Sequence, residues 1–345
     1  MVEERLQPCE ICGKTTPPDE DDKYDDIVTP ARPGSQAWQD GHINERLCGR
    51  CACAQFIGSY WNGAPGRKHT LIERYILQPS NRAIFVKRDD LWDNGKYGGG
   101  NAKLRGIEVH LRALIDRGIS HVAVLDSRTS RLGWGVAELC RDLGMKCTVF
   151  FGLLKAQGNI VPYFQQQAAN AGAELISMPA SRIYPMYYKA RIQCQDRGIY
   201  LLPMGGQLSE SIFSVAGEAS TLPTKLLKGT IVCVVATGTM FAGMLMGLKK
   251  ANDIIGVYIG MTSGEIDGRS KADPHAIVHK RIAGLLPAGF EPLRFRIVLG
   301  DREYYADDNY PCPFTCDKWY DRKAWRWLCE HIDDLKDPIL YWNIG

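Results

Sequence analysis

No surplus of one charge marks this chain of 345 residues: 42 lysines and arginines are balanced by 39 aspartates and glutamates. A well-mixed net charge of +3 gives no ground for reading nucleic-acid or membrane binding from field strength alone. The opening stretch MVEERLQPCE carries acids and no apolar run, so no secretory signal is expected and a reducing, cytoplasmic setting is. One segment, 230–248, is uncharged for long enough to raise a membrane helix. Its β-branched first half and the glycine between two threonines divide it instead into a buried strand, a tight turn and a helix. The acidic stretch 19–26 lacks the glycine and terminal glutamate of a calcium loop. His275 and His279 lack a third metal ligand, and no serine stands in a nucleophile elbow. There is no internal repeat.

What is present is an alternation. IFVKRDD, HVAVLD, KCTVFFG, AELISM, GIYLLPMGG, TIVCVV and IIGVYIG read as strands, with helical stretches of ten to fifteen residues between many of them. Such a pattern predicts an α/β fold with two open, mostly parallel sheets covered by helices, and ligands beyond the carboxyl ends of the strands. The expected division is a cysteine-rich appendage over 1–60, a large domain over 61–105 and 200–345, and a small α/β domain over 106–199. ILYWNIG reads as a further, apolar strand packed against the body.

Five of the twelve cysteines crowd the first sixth of the chain. Cys9-x-x-Cys12 and Cys48-x-x-Cys51 have the spacing of a tetrahedral zinc site, each turn facing two sulfurs inward. The expectation is a small zinc-binding appendage with a structural metal; redox or spare thiols are the alternative, and Cys53 can replace Cys51.

Four turns carry the candidate chemistry. In KYGGGNAKLRG, three glycines and Asn101 deliver Lys103 to a helix start. It is either a solvated lysine or an amine whose site lowers its pKa enough to form a Schiff base. In VVATGTMFAG, Thr237, Gly238 and Thr239 either connect strand to helix or aim amides and hydroxyls at a phosphate; no Gly-Lys-Ser/Thr follows, so this is not a nucleotide P-loop. In LLPMGGQLSES, Gly205 and Gly206 form a structural or a cofactor-lining turn. In DSRTSRLGWG, Ser130 either caps a helix or presents a hydroxyl to a substrate carboxylate.

Taken in order, these stretches resemble pyridoxal-phosphate enzymes of the tryptophan-synthase-like fold, fold type II. The likeness is closest to the branch of aminocyclopropane-carboxylate deaminase and D-cysteine desulfhydrase. The matching residues are Lys87 to Leu91, then Gly99 to Asn101 with Lys103 and Arg105. Leu143 to Cys147, Gly172 to Leu175, Pro203 to Gly206 and the turn at Thr237 to Thr239 with Ala242 and Gly243 follow. The resemblance spans about residues 68–345. One alanine separates Asn101 from Lys103, and the branch's Ser-Asn-His or Ser-Asn-Gln is here Ser130, Arg131, Leu132. Leucine cannot hydrogen-bond a ring hydroxyl. Beyond Asp337 and Pro338 the branch's tyrosine and glutamate are missing; read as the family's last strand, YWNIG sets Asn343 or Ile344 near the pyridine nitrogen.

The resemblance implies a pyridoxal 5'-phosphate enzyme of amino-acid metabolism, a homodimeric lyase, deaminase-like or β-replacement in type, with the cofactor between domains. It implies a Schiff base on Lys103, with Ser130 as the second catalytic residue. Asn101, Gly205, Gly206, Thr237, Gly238, Thr239 and Asn343 would hold the cofactor. Ser130, Arg131, Tyr304, Tyr305 and Tyr310 would face a small amino-acid-like substrate, Arg131 suiting an acidic or phosphate-bearing one. Two further readings stand beside this: a binding or adaptor protein that keeps the fold and has lost the chemistry, or amino-acid chemistry on a moiety attached to a larger carrier such as nucleic acid.

Overall fold

A computed structural model of the chain describes residues 28–30, 44–46, 69–98, 102–153, 160–179, 183–248, 251, 253–260, 274–286, 290–300 and 306–345. Two short strands, β1 (Val28–Pro30) and β2 (Asn44–Arg46), pair antiparallel. The body is built on two further sheets. Six strands form the larger: β3 (Ile72–Leu77), β4 (Arg82–Arg88), β9 (Thr230–Val235), β10 (Asp253–Tyr258), β11 (Arg296–Leu299) and β12 (Ile339–Asn343), in the order β11-β10-β9-β12-β4-β3. All neighbours are parallel except β3 and β4. Four parallel strands form the smaller: β5 (His121–Asp126), β6 (Lys146–Leu153), β7 (Glu174–Pro179) and β8 (Tyr200–Leu201), in the order β7-β6-β5-β8.

The eight helices named here are α1 (Leu104–Asp116), α2 (Leu132–Asp142), α3 (Tyr163–Asn170), α4 (Ile183–Arg197), α5 (Ser209–Ser220), α6 (Thr239–Gly247), α7 (Pro274–Ala283) and α8 (Asp321–Glu330). The two-residue alternation of strand side chains sorts the core. Ile231, Cys233, Val235, Leu340 and Trp342 pack with α5, α6 and α7 on one face of the larger sheet. Val232, Val234, Ile339 and Tyr341 pack with Trp325 and Leu328 of α8 on the other. Val122, Val124, Cys147 and Val149 of the smaller sheet meet α1, α2 and Ala168 of α3, while Ala123, Leu125 and Phe150 meet α4. Strands buried on both faces read as continuous apolar runs, which is why β9 resembled half a membrane span. Among the described residues no helix is long and apolar enough to cross a membrane.

The two open, helix-covered sheets agree with the expected α/β class, but its zinc-binding appendage is corrected. A structural zinc needs four donors converging on one point. Among the described residues no group of three or more His, Cys, Asp or Glu side chains could hold a metal ion, and the described cysteines are free thiols within the body. Cys9, Cys12, Cys48 and Cys51 lie outside the described residues. No described residue supports zinc in the fold description or in the cofactor set.

Candidate active site

The carboxyl ends of β4, β5, β9 and β12 and the turns that leave them supply the site. The amide of Ala102 donates to the Ile344 carbonyl (3.2 Å), which ties the start of α1 to the end of β12. Lys103 follows. Its carbonyl accepts the Ser211 hydroxyl (3.1 Å) and the amides of Gly106 and Ile107, so the backbone is fixed on the α5 side. Its amine crosses to the turns below, donating to the Gly205 carbonyl (3.1 Å) and lying 3.3 Å from Thr237 Oγ1. The residue keeps part of its surface open, but the amine itself is enclosed. Burial pulls its pKa down to about 8, against the opposing pull of the Asp126 carboxylate.

Those turns need glycine. Gly205 and Gly238 have φ of 67° and 92°, in the left-handed region. A Cβ at Gly205 would stand 2.7 Å from Thr237 Cγ2, so only glycine lets the two turns close on each other. Gly206 has φ of 66° and faces Ile107 and Leu132. Gly238 caps α6, its carbonyl accepting the Ala242 amide (2.8 Å). The hydroxyls of Thr237 and Thr239 lie 3.3 Å apart at this helix N-terminus, which favours an anion. Arg281 of α7 donates to the Ala236 carbonyl (3.0 Å) just before the turn.

The β5–α2 turn is less open than its sequence suggests. Ser130 Oγ accepts the Leu132 amide (3.1 Å), a turn bond just ahead of the helix whose N-cap is Arg131, and hydrogen-bonds Asp126. Leu132 is buried against the α1 core. Arg131 pairs with Asp317 (Nη2–Oδ2, 3.0 Å) and lies over the Phe164 ring at 5.2 Å, while its Nε is buried without a hydrogen-bond partner among the described residues. Asp317 accepts the Trp319 and Tyr320 amides (2.8 and 2.7 Å) through its other oxygen.

Asp126, at the end of β5, is buried. Its Oδ2 accepts the Gly133 amide (3.0 Å) and the Gln165 side-chain amide (3.1 Å). A Cβ at Gly133 would come within 2.6 Å of that oxygen. Burial pushes this carboxyl up to about 7, despite Ser130, Gly133, Gln165 and Lys103, all of which favour its charge.

Lys103, Gly205 and the 237–239 turn are thus brought together, while Ser130 is placed against Asp126. Asn343 is buried beside β4: its amide donates to the Thr315 carbonyl (2.9 Å) and bonds Asp90, and its Oδ1 has no partner among the described residues. The structure places Tyr310 with the Arg326 guanidinium over its ring (5.4 Å) and its amide on Asp308 (2.8 Å). Asn101, Tyr304 and Tyr305 lie outside the described residues. His279 stacks on Phe295 (ring centroids 4.6 Å) and His275 meets the Ile297 carbonyl (3.0 Å) on α7. Asp126, Gln165, Arg281 and Asp317 were not singled out by sequence. Of these, only Asp126 carried a signal, an acid at the carboxyl end of a strand.

The residues fit an aldehyde-bearing, phosphorylated ring: an amine partly neutral near pH 8 can condense with an aldehyde, and a glycine-capped helix start can take a phosphate. Residues 71–304 match the model of the pyridoxal-phosphate dependent enzyme family, and the chain belongs to that family. It is an enzyme of fold type II, the group of lyases and β-replacement enzymes that its motifs resembled.

One relative is the glycyl-dTMP PLP-dependent decarboxylase of Pseudomonas phage M6, 32% identical over 294 residues, spanning 80% of this chain and 98% of the phage protein. Among solved structures, an ACC deaminase homologue superposes with a TM-score of 0.66 at 18% identity over 84% of this chain and 94% of that one. Threonine deaminase isoform 2 of Solanum lycopersicum superposes with a TM-score of 0.57 at 13% identity over 85% of this chain and 89% of that one. At these identities the structural likenesses are likenesses of fold.

Proposed function

We propose that the chain removes CO2 from an α-amino acid carried on a pyrimidine nucleotide. One observation carries this reading: the 32% identity to the phage M6 glycyl-dTMP decarboxylase runs over 98% of that protein's length. The active-site chemistry supports it. Bound pyridoxal phosphate supplies an electron sink for the pair left at Cα when a bond there breaks. Lys103 would link the cofactor, and Gly205, Gly206 and the Thr237 to Thr239 turn would hold its phosphate against the positive end of α6. Asn101 and Asn343 would flank the ring.

The remaining steps belong to side chains. Lys103 would hold a proton beside Cα and deliver it where CO2 has left. Arg131, positioned by Asp317 and Phe164, keeps an Nε–H to offer an anionic group of the nucleotide. Ser130, Tyr304, Tyr305 and Tyr310 would complete the substrate side. Residues 106–199 would form a smaller lobe against the larger one of 61–105 and 200–345, in a homodimer. The substrate nucleotide would be free or part of a nucleic acid.

The test is direct. Purified protein loaded with pyridoxal phosphate is incubated with glycyl-dTMP and, separately, with free glycine. CO2 release and the matching mass loss are expected from the nucleotide and not from glycine. No CO2 from the nucleotide, with ammonia or a keto acid formed from free amino acids instead, would sink the reading.

A further inference from the structure

Lys103 is held on two sides, and the holds differ in kind. Toward α5 its carbonyl takes the Ser211 hydroxyl directly (3.1 Å). On the other side the hold runs through a neighbour, the Ala102 amide donating to the Ile344 carbonyl (3.2 Å). Ile344 lies one residue past the paired residues of β12, so the strand ladder does not fix it. Resting on the reading of Lys103 as the cofactor lysine, this hold is only as firm as whatever keeps Ile344 in place. We propose that Asp321, in the first turn of α8, is a positioning residue for Lys103, acting through Ile344 without touching cofactor or substrate.

Every link in the path is a hydrogen bond. Asp321 is fully buried; its Oδ1 accepts the Ile344 amide (2.9 Å), and its carbonyl accepts the Tyr341 hydroxyl (2.5 Å). One residue thus grips the end of β12 at 341 and at 344, on either side of Asn343. Ile344 passes the grip on, its carbonyl taking the amide of the residue just before Lys103. Two hydrogen bonds, with Ile344 between them, join the Asp321 carboxyl to the start of α1.

The support is itself anchored. Ahead of α8 the Asp317 carboxylate takes the Trp319 and Tyr320 amides, and the Asp317 carbonyl takes the Arg322 amide (2.8 Å). One turn on, the buried Trp325 donates its indole N–H to the Pro311 carbonyl (3.0 Å). The Tyr320 hydroxyl reaches across to Thr129 on the β5–α2 turn (3.1 Å). The helix start is therefore fixed by bonds that do not involve Ile344, and it can impose a position on it.

A plain helix-capping role does not account for the residue. The N-cap of α8 is Tyr320, and the bonded Asp321 oxygen is turned to β12 rather than to an amide of its own helix. Its other oxygen, Oδ2, is buried with no hydrogen-bond partner among the described residues. An acid facing water at a helix start would gain from the dipole without that cost. Burial, with Asp317 and Asp90 nearby, pushes this carboxyl well above the ordinary range, against the bond from Ile344. Asparagine is close to the neutral acid in shape and still offers Ile344 an oxygen.

The full chain, freed of cofactor, is mixed with pyridoxal phosphate, and uptake is read as the rate at which the visible absorption of the loaded protein develops. Asp321→Ala is expected to slow uptake at least about tenfold, and to lower kcat on glycyl-dTMP by about as much with KM within about twofold. Asp321→Asn is expected to stay within about twofold of the wild type in uptake and kcat. Wild-type uptake by Asp321→Ala overturns the proposal. So does an asparagine variant as impaired as the alanine one, or a rise in KM that matches the fall in kcat, which marks a loosened fold.

Uptake needs no substrate, so it decides even where glycyl-dTMP releases no CO2. Lys103→Ala separates the proposal from the reading beneath it. If that variant develops the absorption as the wild type does, the lysine reading falls and the proposal with it. If it does not, while Asp321→Ala does, only the positioning role falls. Should Asp321→Ala fail to fold by circular dichroism, Tyr341→Phe is read instead: it drops the hydroxyl that holds the Asp321 carbonyl and is expected to slow uptake about threefold, and no change overturns the proposal.

Discussion

Two sets of buried charges lie within a few turns of each other, and they have been solved in opposite ways. Below α1, Lys87 pairs with Glu218 and Arg105 with Asp89, and neutral donors fill much of what remains. Glu218 also takes the Thr70 amide (2.8 Å) and the Thr70 hydroxyl (3.0 Å), with His69 Nδ1 at 3.0 Å. Asp89 takes the Trp342 indole (3.0 Å) and shares the single Thr70 hydroxyl proton (2.9 Å) with Glu218. Burial alone would raise the Glu218 carboxyl, but Arg105 and Lys87 hold it at about 2. Around Lys103 the same kinds of group are buried with less compensation, and Lys103 and Asp126 are drawn to about 8 and about 7. Compensated charge fixes architecture because it does not titrate under working conditions; under-compensated charge titrates where chemistry needs it.

The largest effect should come from Lys103→Ala. It is expected to abolish the visible absorption of the cofactor-loaded protein and to lower activity by roughly a thousandfold or more, with the fold unchanged by circular dichroism. Glu218→Ala tests the other set. It strands the Lys87 amine in the core and is expected to cost about 3–5 kcal/mol in a urea titration, while Lys103 still takes up the cofactor.

The pH dependence of folding separates the two sets without mutation. Glu218 has a folded pKa depressed from 4.5 to about 2, so its stabilisation is full above 4.5 and is lost as pH falls through 2. Asp126 has a folded pKa raised from 3.8 to about 7, so its contribution is present below 3.8 and is lost as pH rises to 7. Lys103 is depressed from 10.5 to about 8, so its contribution is present above 10.5 and is lost as pH falls through 8. Urea titrations of the cofactor-free protein should therefore show a dip in this pair's contribution between about pH 7 and 8, and Asp126→Asn should remove the acid side of that dip. Smallest of all, Arg197→Ala breaks a half-exposed pair with Glu174 (2.6 Å) and is expected to change stability by less than about 1 kcal/mol.

What could be read in the sequence follows the same division. The strands rest on long apolar runs, and the Lys103 and Gly238 turns on residue types that a tight turn and a helix start demand locally; both were legible, the order of strands within each sheet was not. Glu218 lies 131 residues from Lys87, and Gln165 lies 39 from Asp126, so their pairing is decided by tertiary packing that no local pattern records. HVAVLD gave an ordinary strand end, and nothing in it says that the terminal acid is buried. Ser130 was weighed as cap or substrate group; the cap position of α2 falls on Arg131, and Ser130 bonds the Leu132 amide and Asp126. The zinc expectation rested on spacing alone, and its cysteines lie outside the described residues.

The position of β12 carries a consequence for how the molecule is made. Residues 339–343 run down the middle of the six-stranded sheet, between β9 and β4, and β4 was synthesised some 250 residues earlier. Until that last ribbon slots in, β3 and β4 have no parallel neighbour, whereas the four strands of the smaller sheet are contiguous in the chain between 121 and 201 and can assemble as they emerge. Birth order thus favours a nascent chain whose inserted half is finished while its outer half waits with a vacant central groove, the stage at which a chaperone would matter most.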